Sequence, residues 1–300
     1  MTQALPPTEH RNPRTTDIDT LESPDVLRLL VDEDSHAVEA VRAATGPLAR
    51  AVDEAHRRLG RGGTVHYFGA GASGRLAVLD ATEITPTFGA PRGLFTAHFA
   101  GGAAAVGDSS IDREDSEAMG AADAEGLTAD SVAIGITASG TTPYVAGALR
   151  TARAAGALTV LITCDPAAPL RELADIGVVA DTGPEALTGS TRLKAGTATK
   201  VILNAFSTAL MIKSGRTYGN LMVGLVATNS KLDDRAVRLL AEATGLDRDA
   251  CAAALAEADG HVPEALLRLL TGCSPEQARD ALKAHPGVRA AAAALDGRAR

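Results

Sequence analysis

Short apolar runs recur along the chain at Val65–Phe68, Leu94–Ala100, Ser131–Ala138, Leu158–Thr163 and Ile176–Ala180. Runs of this length, closed by glycine or hydroxyl residues, predict buried strands. Amphipathic or apolar segments separate them and predict helices. Ser23-Pro24 suits an N-cap and first helical position, opening a helical lead-in that ends at about Leu59 before Gly60, Gly62 and Gly63. Its apolar stripe is Leu27, Leu29, Leu30, Val38, Val41, Leu48 and Val52. Further helices are predicted over Asp108–Ala124, Tyr144–Ala155 and Ala195–Lys213. Strands alternating with helices predict a parallel sheet covered on both faces, an α/β fold. Ala195–Lys213 is apolar almost all round and predicts a buried helix, packed against a second subunit. Thr217–Asn229 fits an interface better than a solvent face. Residues 1–22, with Pro6, Pro7 and Pro13, read as an extended arm, and residues 23–232 as the main domain. Residues 233–300 read as a separate helical unit, with short helices split by Gly245 and Gly260. Ser274-Pro275-Glu276-Gln277 opens a helix there, Gln277 standing at the capping-box position.

The chain is organised around Thr64–Glu83, a strand, a glycine-serine turn and a helix expected to begin near Arg75. In Gly69-Ala70-Gly71-Ala72-Ser73-Gly74 the backbone N–H groups and the Ser73 hydroxyl fall at a helix start, which holds anions. The spacing also fits the dinucleotide fingerprint, but that motif wants an acid about 20 residues on. No Asp or Glu lies between Glu83 and Asp108, so phosphate is the better reading. Ser139-Gly140-Thr141-Thr142-Pro143 repeats the design after the third strand. A third hydroxyl-rich turn, Thr188–Lys194, adds Ser190 and the cations Arg192 and Lys194. Two such turns after buried strands point to one phosphate-holding crevice at the carboxyl ends of parallel strands. The plainer readings are tight turns that need glycine for space, hydroxyls that cap helices, and surface cations.

Composition narrows the partners. Net charge is −8 with no basic tract, so nucleic acid and anionic membranes are poor partners, and an anionic ligand needs local donors. Cys164, Cys251 and Cys273 are far apart, an odd, sparse set expected of reduced thiols in a cytoplasmic protein. The N-terminal residues form no apolar signal region. The apolar stretch Val201–Ile212 reads as too short for a bilayer. The seven histidines show no metal-ligand spacing, so no metal is expected.

Several segments together make the chain resemble the N-acetylmuramic acid 6-phosphate etherases of the sugar-isomerase (SIS) superfamily. They are TEHRN at 8–12, GAGASGRLAVLDATEITPTFG at 69–89, Gly101-Gly102, REDSE at 113–117, ITASGTTPYV at 136–145, the long 187–215 segment, and YGNLMVGLVATNSKL at 218–232. The resemblance implies a SIS-type three-layer sandwich with a five-stranded parallel sheet and a homodimer. It also implies a small C-terminal all-α unit like a UBA domain. The implied reaction removes the D-lactyl ether from C3 of the amino sugar phosphate with water and without metal or organic cofactor. Glu83, in Asp80-Ala81-Thr82-Glu83, and Glu114, in Glu114-Asp115-Ser116, match the family's two active-site glutamates. Ile84-Thr85 departs from the common family pattern, as does His98 in its strand.

The chemistry fits these residue types. In the open-chain sugar the C2 proton lies beside an aldehyde, so a base can remove it and lactate can leave C3 with help from an acid. Each positioned proton-transfer group is worth about 10²–10⁴ in rate. By the resemblance Glu83 is the donor to departing lactate, which leaves Glu114 as a candidate base. Phosphate binding is expected from Gly71, Ser73, Gly74, Ser139, Gly140, Thr141, Thr142, Ser190, Arg192 and Lys194. A non-catalytic sugar-phosphate-binding regulator and an aldose–ketose isomerase of the same fold are the alternatives.

Overall fold

The computed structural model describes residues 5–224 and 230–298. Five strands, β1 (Val65–Gly69), β2 (Phe95–Phe99), β3 (Val132–Ile136), β4 (Leu158–Thr163) and β5 (Ile176–Val179), form one parallel sheet in the order β2-β1-β3-β4-β5. Each follows from its apolar run, and the ends agree with the sequence reading to within two residues. β3 and β4 are buried at every position, as strands covered on both faces require. Side chains alternate across the sheet. Phe68 and Leu161 meet α6 (Pro143–Ala154) on one face, where Gly135 also leaves room for Val145 and Leu149. On the other face Tyr67 donates to Asp80 of α3 (Gly71–Phe88), at 2.9 Å. Asp80 also accepts from Asn204 and Ser207 of α7 (Lys194–Lys213), so one buried carboxylate ties a strand to two helices.

The lead-in forms α1 (Ser23–Ala43) and α2 (Thr45–Leu59). Val41, Leu48 and Val52 are buried, but Leu27 and Val38, expected in the same stripe, are 63% and 45% exposed. The arm departs from the extended reading. It makes two 3₁₀ turns, Pro7–Glu9 and Ile18–Thr20, and buries Thr8, Asn12 and Thr15. Its polar side chains have partners that no local pattern shows: Thr15 Oγ1 donates to the Ala186 carbonyl, and Asn12 to Glu33.

The helix expected over Asp108–Ala124 is absent as such. α4 (Gly102–Gly107) ends before it and α5 (Glu117–Asp123) begins late, so Glu114 stands in a loop. The cause is local. Asp108 accepts from the Ser110 backbone N–H and Asp112 from that of Glu114, and such side-chain turns compete with helix. Helix resumes only where Ser116 Oγ caps it by accepting from Met119 N–H.

α7 is a largely buried helix. The helix that holds Val201–Ile212 is longer than that stretch, and by length and composition alone it could cross a membrane, but 56% of its apolar window is buried inside the protein. Ala198, Ile202, Leu203, Phe206 and Leu210 are almost inaccessible, as a core helix requires.

Contacts divide the chain into two compact units, Met1–Thr82 with Gly93–Ser207, and Glu83–Arg92 with Thr208–Arg300. The second holds α8 (Ser230–Thr244), α9 (Arg248–Glu257), α10 (Val262–Thr271), α11 (Pro275–Ala284) and α12 (Val288–Arg298). Leu240, Cys251, Leu255, Leu266, Leu267 and Val288 form its core. α11 carries the full capping box between Ser274 and Gln277. Part of the interface expected over Thr217–Asn229, residues 225–229, lies outside the described residues.

Candidate active site

The strand order fixes where a ligand can sit. From β1 the chain moves outward to β2, and from β3 it moves the other way to β4. The carboxyl ends of β1 and β3 therefore flank the sheet's topological switch point, where open α/β sheets leave a crevice. Gly69 and Ile136 are register partners, so the turns after these two strands leave the sheet side by side.

The first turn is tighter than expected. α3 begins at Gly71, not near Arg75, because Gly71 takes φ +52° and turns the chain at once. Gly74 packs against Gly69, where a Cβ would lie 2.6 Å from the Gly69 carbonyl oxygen. Ser73 thus falls inside the first helical turn. A recess of about 130 Å³ joins this turn to the acidic loop, lined by Gly71, Arg75, Phe99, Asp112 and Glu114 among others. Arg75 is the cation of the recess, and its position just after the glycines was its only sequence signal. It donates through Nε to the Val106 carbonyl at 2.8 Å and lies over the Phe99 ring.

The second turn is a hydroxyl cluster. Thr137 and Thr142 Oγ1 are 2.8 Å apart, as are Ser139 Oγ and Thr141 Oγ1. The Gly140 N–H donates to Thr137 Oγ1, and Gly140, at φ +70°, lies so close to Ala168 that a Cβ would come within 2.1 Å of that methyl. Thr142 stands at the N-cap of α6 but does not cap it with its side chain. Instead its hydroxyl donates to Glu114 Oε1 at 3.0 Å, and the Tyr144 N–H donates to the Glu114 carbonyl at 2.9 Å. Helix capping therefore does not explain Thr142. The structure brings Glu114, Gly71 and Arg75 into one recess and ties Glu114 to the second turn.

The third turn is different. Glu185 is fully buried and accepts the Lys194 and Ala195 N–H groups, each at 2.9 Å, so the start of α7 already holds a carboxylate. Lys194, expected to meet phosphate, is 1% exposed and donates to Glu33 Oε2 at 2.7 Å. Arg14 and Asn12 complete the shell around Glu33. The Arg14 guanidinium, opposed by burial and helped by Lys194 and Asn12, holds that carboxyl at about 2. Lys194 is thus spent on an interior ion pair. Arg192 is exposed and borders another opening with Arg75, Thr197 and Lys200, while Ser190 is partly exposed.

Glu83 lies on α3, exposed to solvent and three residues beyond the buried Asp80. Of the histidines, His66 and His98 meet at 3.1 Å, and burial, reinforced by His98, pushes His66 down to about 4. Among the described residues no three His, Cys, Asp or Glu side chains form a metal-holding group.

This sheet, with its crevice at the switch point, is the fold of the SIS class. Residues 114–209 match the SIS domain, and residues 47–153 match the glucokinase regulatory protein N-terminal SIS domain. The structure is similar to that of a phosphoheptose isomerase from Francisella tularensis, with a TM-score of 0.52 over 64% of this chain and all of that one, at 17% identity. Closer relatives narrow the class. An N-acetylmuramic acid 6-phosphate etherase of Thermobifida fusca (strain YX) is 54% identical over 88% of this chain and 87% of its own length. One from Salmonella choleraesuis (strain SC-B67) is 47% identical over 95% and 96%. The chain belongs to the N-acetylmuramic acid 6-phosphate etherase family.

Proposed function

We propose that the protein binds N-acetylmuramic acid 6-phosphate and cleaves its lactyl ether, acting as a carbon–oxygen lyase. The products are N-acetylglucosamine 6-phosphate and D-lactate, which places the reaction in cell-wall amino sugar recycling. The observation that carries this reading is the Glu114 carboxylate, exposed at a recess beside the Gly71 turn and held by the Thr142 hydroxyl. In the open-chain sugar Glu114 removes the C2 proton. The electron pair forms a C2–C3 double bond, the C3–O bond breaks, and lactate leaves with a proton from Glu83, the family's second glutamate. Water then adds at C3 and a proton returns to C2.

The phosphate, at about −1.5 to −2 charge, is met by the N–H groups of Gly71, Ser73 and Gly74, by the Ser139 and Thr141 hydroxyls, and by Gly140. A helix start adds about 0.3–1 kcal/mol per charge when exposed, so Arg75 and Arg192 are needed as well. Residues 1–22 serve as an arm, 23–232 as the sugar-phosphate domain and 233–300 as a helical unit, in a cytoplasmic homodimer. The test incubates pure protein with the muramic acid phosphate and measures D-lactate. Release that Glu114→Gln abolishes fits the proposal; a ketose product, or no product from folded protein, refutes it.

A further inference from the structure

Proton counting in the β3–α6 turn gives Thr137 a task. A hydroxyl has one proton to donate and two lone pairs to accept with. The proton of Thr142 goes to Glu114 Oε1, so toward Thr137, 2.8 Å away, Thr142 can only accept. Thr137 must therefore donate to Thr142. The Gly140 N–H, 3.2 Å away, donates into Thr137, whose only other hydroxyl neighbour among the described residues, Ser139 Oγ, lies at 3.4 Å against 2.8 Å for Thr142. The bonds run one way, from the Gly140 N–H through Thr137 and Thr142 to the glutamate. Thr137 is 3% exposed and touches no ligand space, whereas Ser139 and Thr141, at the open side of the turn, stay available to an anion.

We propose that Thr137 is a positioning residue for Glu114, holding the Thr142 hydroxyl so that its proton stays on the carboxylate. The inference rests on the reading of Glu114 as the base. A bond chain in which every member donates in the same direction polarises each link, so the last donor holds the carboxylate better than a lone threonine could. Without Thr137, the Thr142 hydroxyl is free to turn toward other acceptors and the carboxylate loses its fixed aim. A misplaced base lowers turnover without weakening substrate binding.

The experiment compares Thr137→Val, which keeps the shape and removes the hydroxyl, with Thr137→Ser, which restores it. Lactate release is followed under saturating and limiting muramic acid phosphate, with thermal unfolding of each variant recorded. The expected result is kcat lowered about three- to tenfold in Thr137→Val, the range for one hydrogen bond, with KM nearly unchanged. Thr137→Ser should recover most of it. Thr142→Val should also lower kcat, and adding Thr137→Val to it should lower it no further, because the link is already cut. Wild-type kcat in Thr137→Val, an equal loss in Thr137→Ser, or fully additive losses in the double variant would overturn the proposal. If Thr137→Val does not fold, Thr137→Ala takes its place in the same series. Glu114→Gln separates the two levels. An inactive Glu114→Gln beside a fully active Thr137→Val sinks the relay alone, and an active Glu114→Gln sinks the reading beneath it.

Discussion

Glu33→Gln tests the buried ion cluster that seats the N-terminal arm. Glu33 is 4% exposed and receives Arg14, Lys194 and Asn12. Its ordinary value is 4.5, and the cluster, with Arg14 the largest cause, brings it to about 2. At about 1.4 kcal/mol per tenfold, the gap corresponds to roughly 3 kcal/mol of stability at neutral pH. The folded value lies below the unfolded one, so this stability is present above pH 4.5 and is lost as pH falls toward 2. A second route reaches a similar figure. Replacing the carboxylate leaves the Lys194 ammonium, 1% exposed, without a counter-charge, and breaking a buried pair costs about 3–5 kcal/mol. Arg14 is 53% exposed, so its share is screened and the lower end applies. Glu33→Gln should therefore lose about 3 kcal/mol in urea unfolding at pH 7. The wild-type advantage should shrink as pH falls from about 5 toward 2. Glu33→Gln with Lys194→Met should recover part of the loss, because the orphaned charge is gone. A single-variant loss below about 1 kcal/mol, unchanged between pH 7 and pH 4, would refute the reasoning.

Asp80→Ala strips the acceptor from Tyr67, Asn204 and Ser207 at once. A loss of roughly 2–4 kcal/mol is expected in chemical denaturation. Gly140→Ala places a methyl 2.1 Å from that of Ala168 at φ +70°, so it should destabilise by about 2 kcal/mol or more and cut lactate release even in the folded fraction.

The sheet was legible because its strands are short apolar runs with nothing competing for them. β4 ends where the pattern ends, at Thr163. The two glycine-hydroxyl turns were legible for a related reason: glycine and hydroxyl residues directly after a buried strand have few structural uses. What escaped was non-local or carried by side-chain competition. Asp108–Ala124 has the composition of a solvated helix, but two aspartates each accept from the backbone N–H two residues on and hold Glu114 in a loop. Lys194 looked like a cation beside a hydroxyl turn, and only the fold reveals Glu33, 161 positions away, as its partner. The arm looked extended because Asn12 and Thr15 bond to residues near 185, which no window on residues 1–22 can include. Leu27 and Val38 share a helical period with Val41 but sit on its solvent side.

Three turns that look alike in sequence are separated by what occupies each helix start. At α7 the start is filled by Glu185, and burial pushes that carboxyl up even though the Ala195 and Lys194 N–H groups pull it down. A second anion bound to the Lys194 and Ala195 N–H groups would meet a negative charge and two donors already in use. At α3 the first turn carries no acid, and its N–H groups end beside a recess that holds Arg75. At α6 the hydroxyls divide, Thr142 serving Glu114 while Ser139 and Thr141 stay open. In a chain of net charge −8, a doubly charged ester and a carboxylate base cannot share one spot without raising the cost of both. If the proposed function holds, the division of the α6 hydroxyls gives the substrate a direction: its phosphate toward Ser139 and Thr141, and its second carbon toward the glutamate that Thr142 holds.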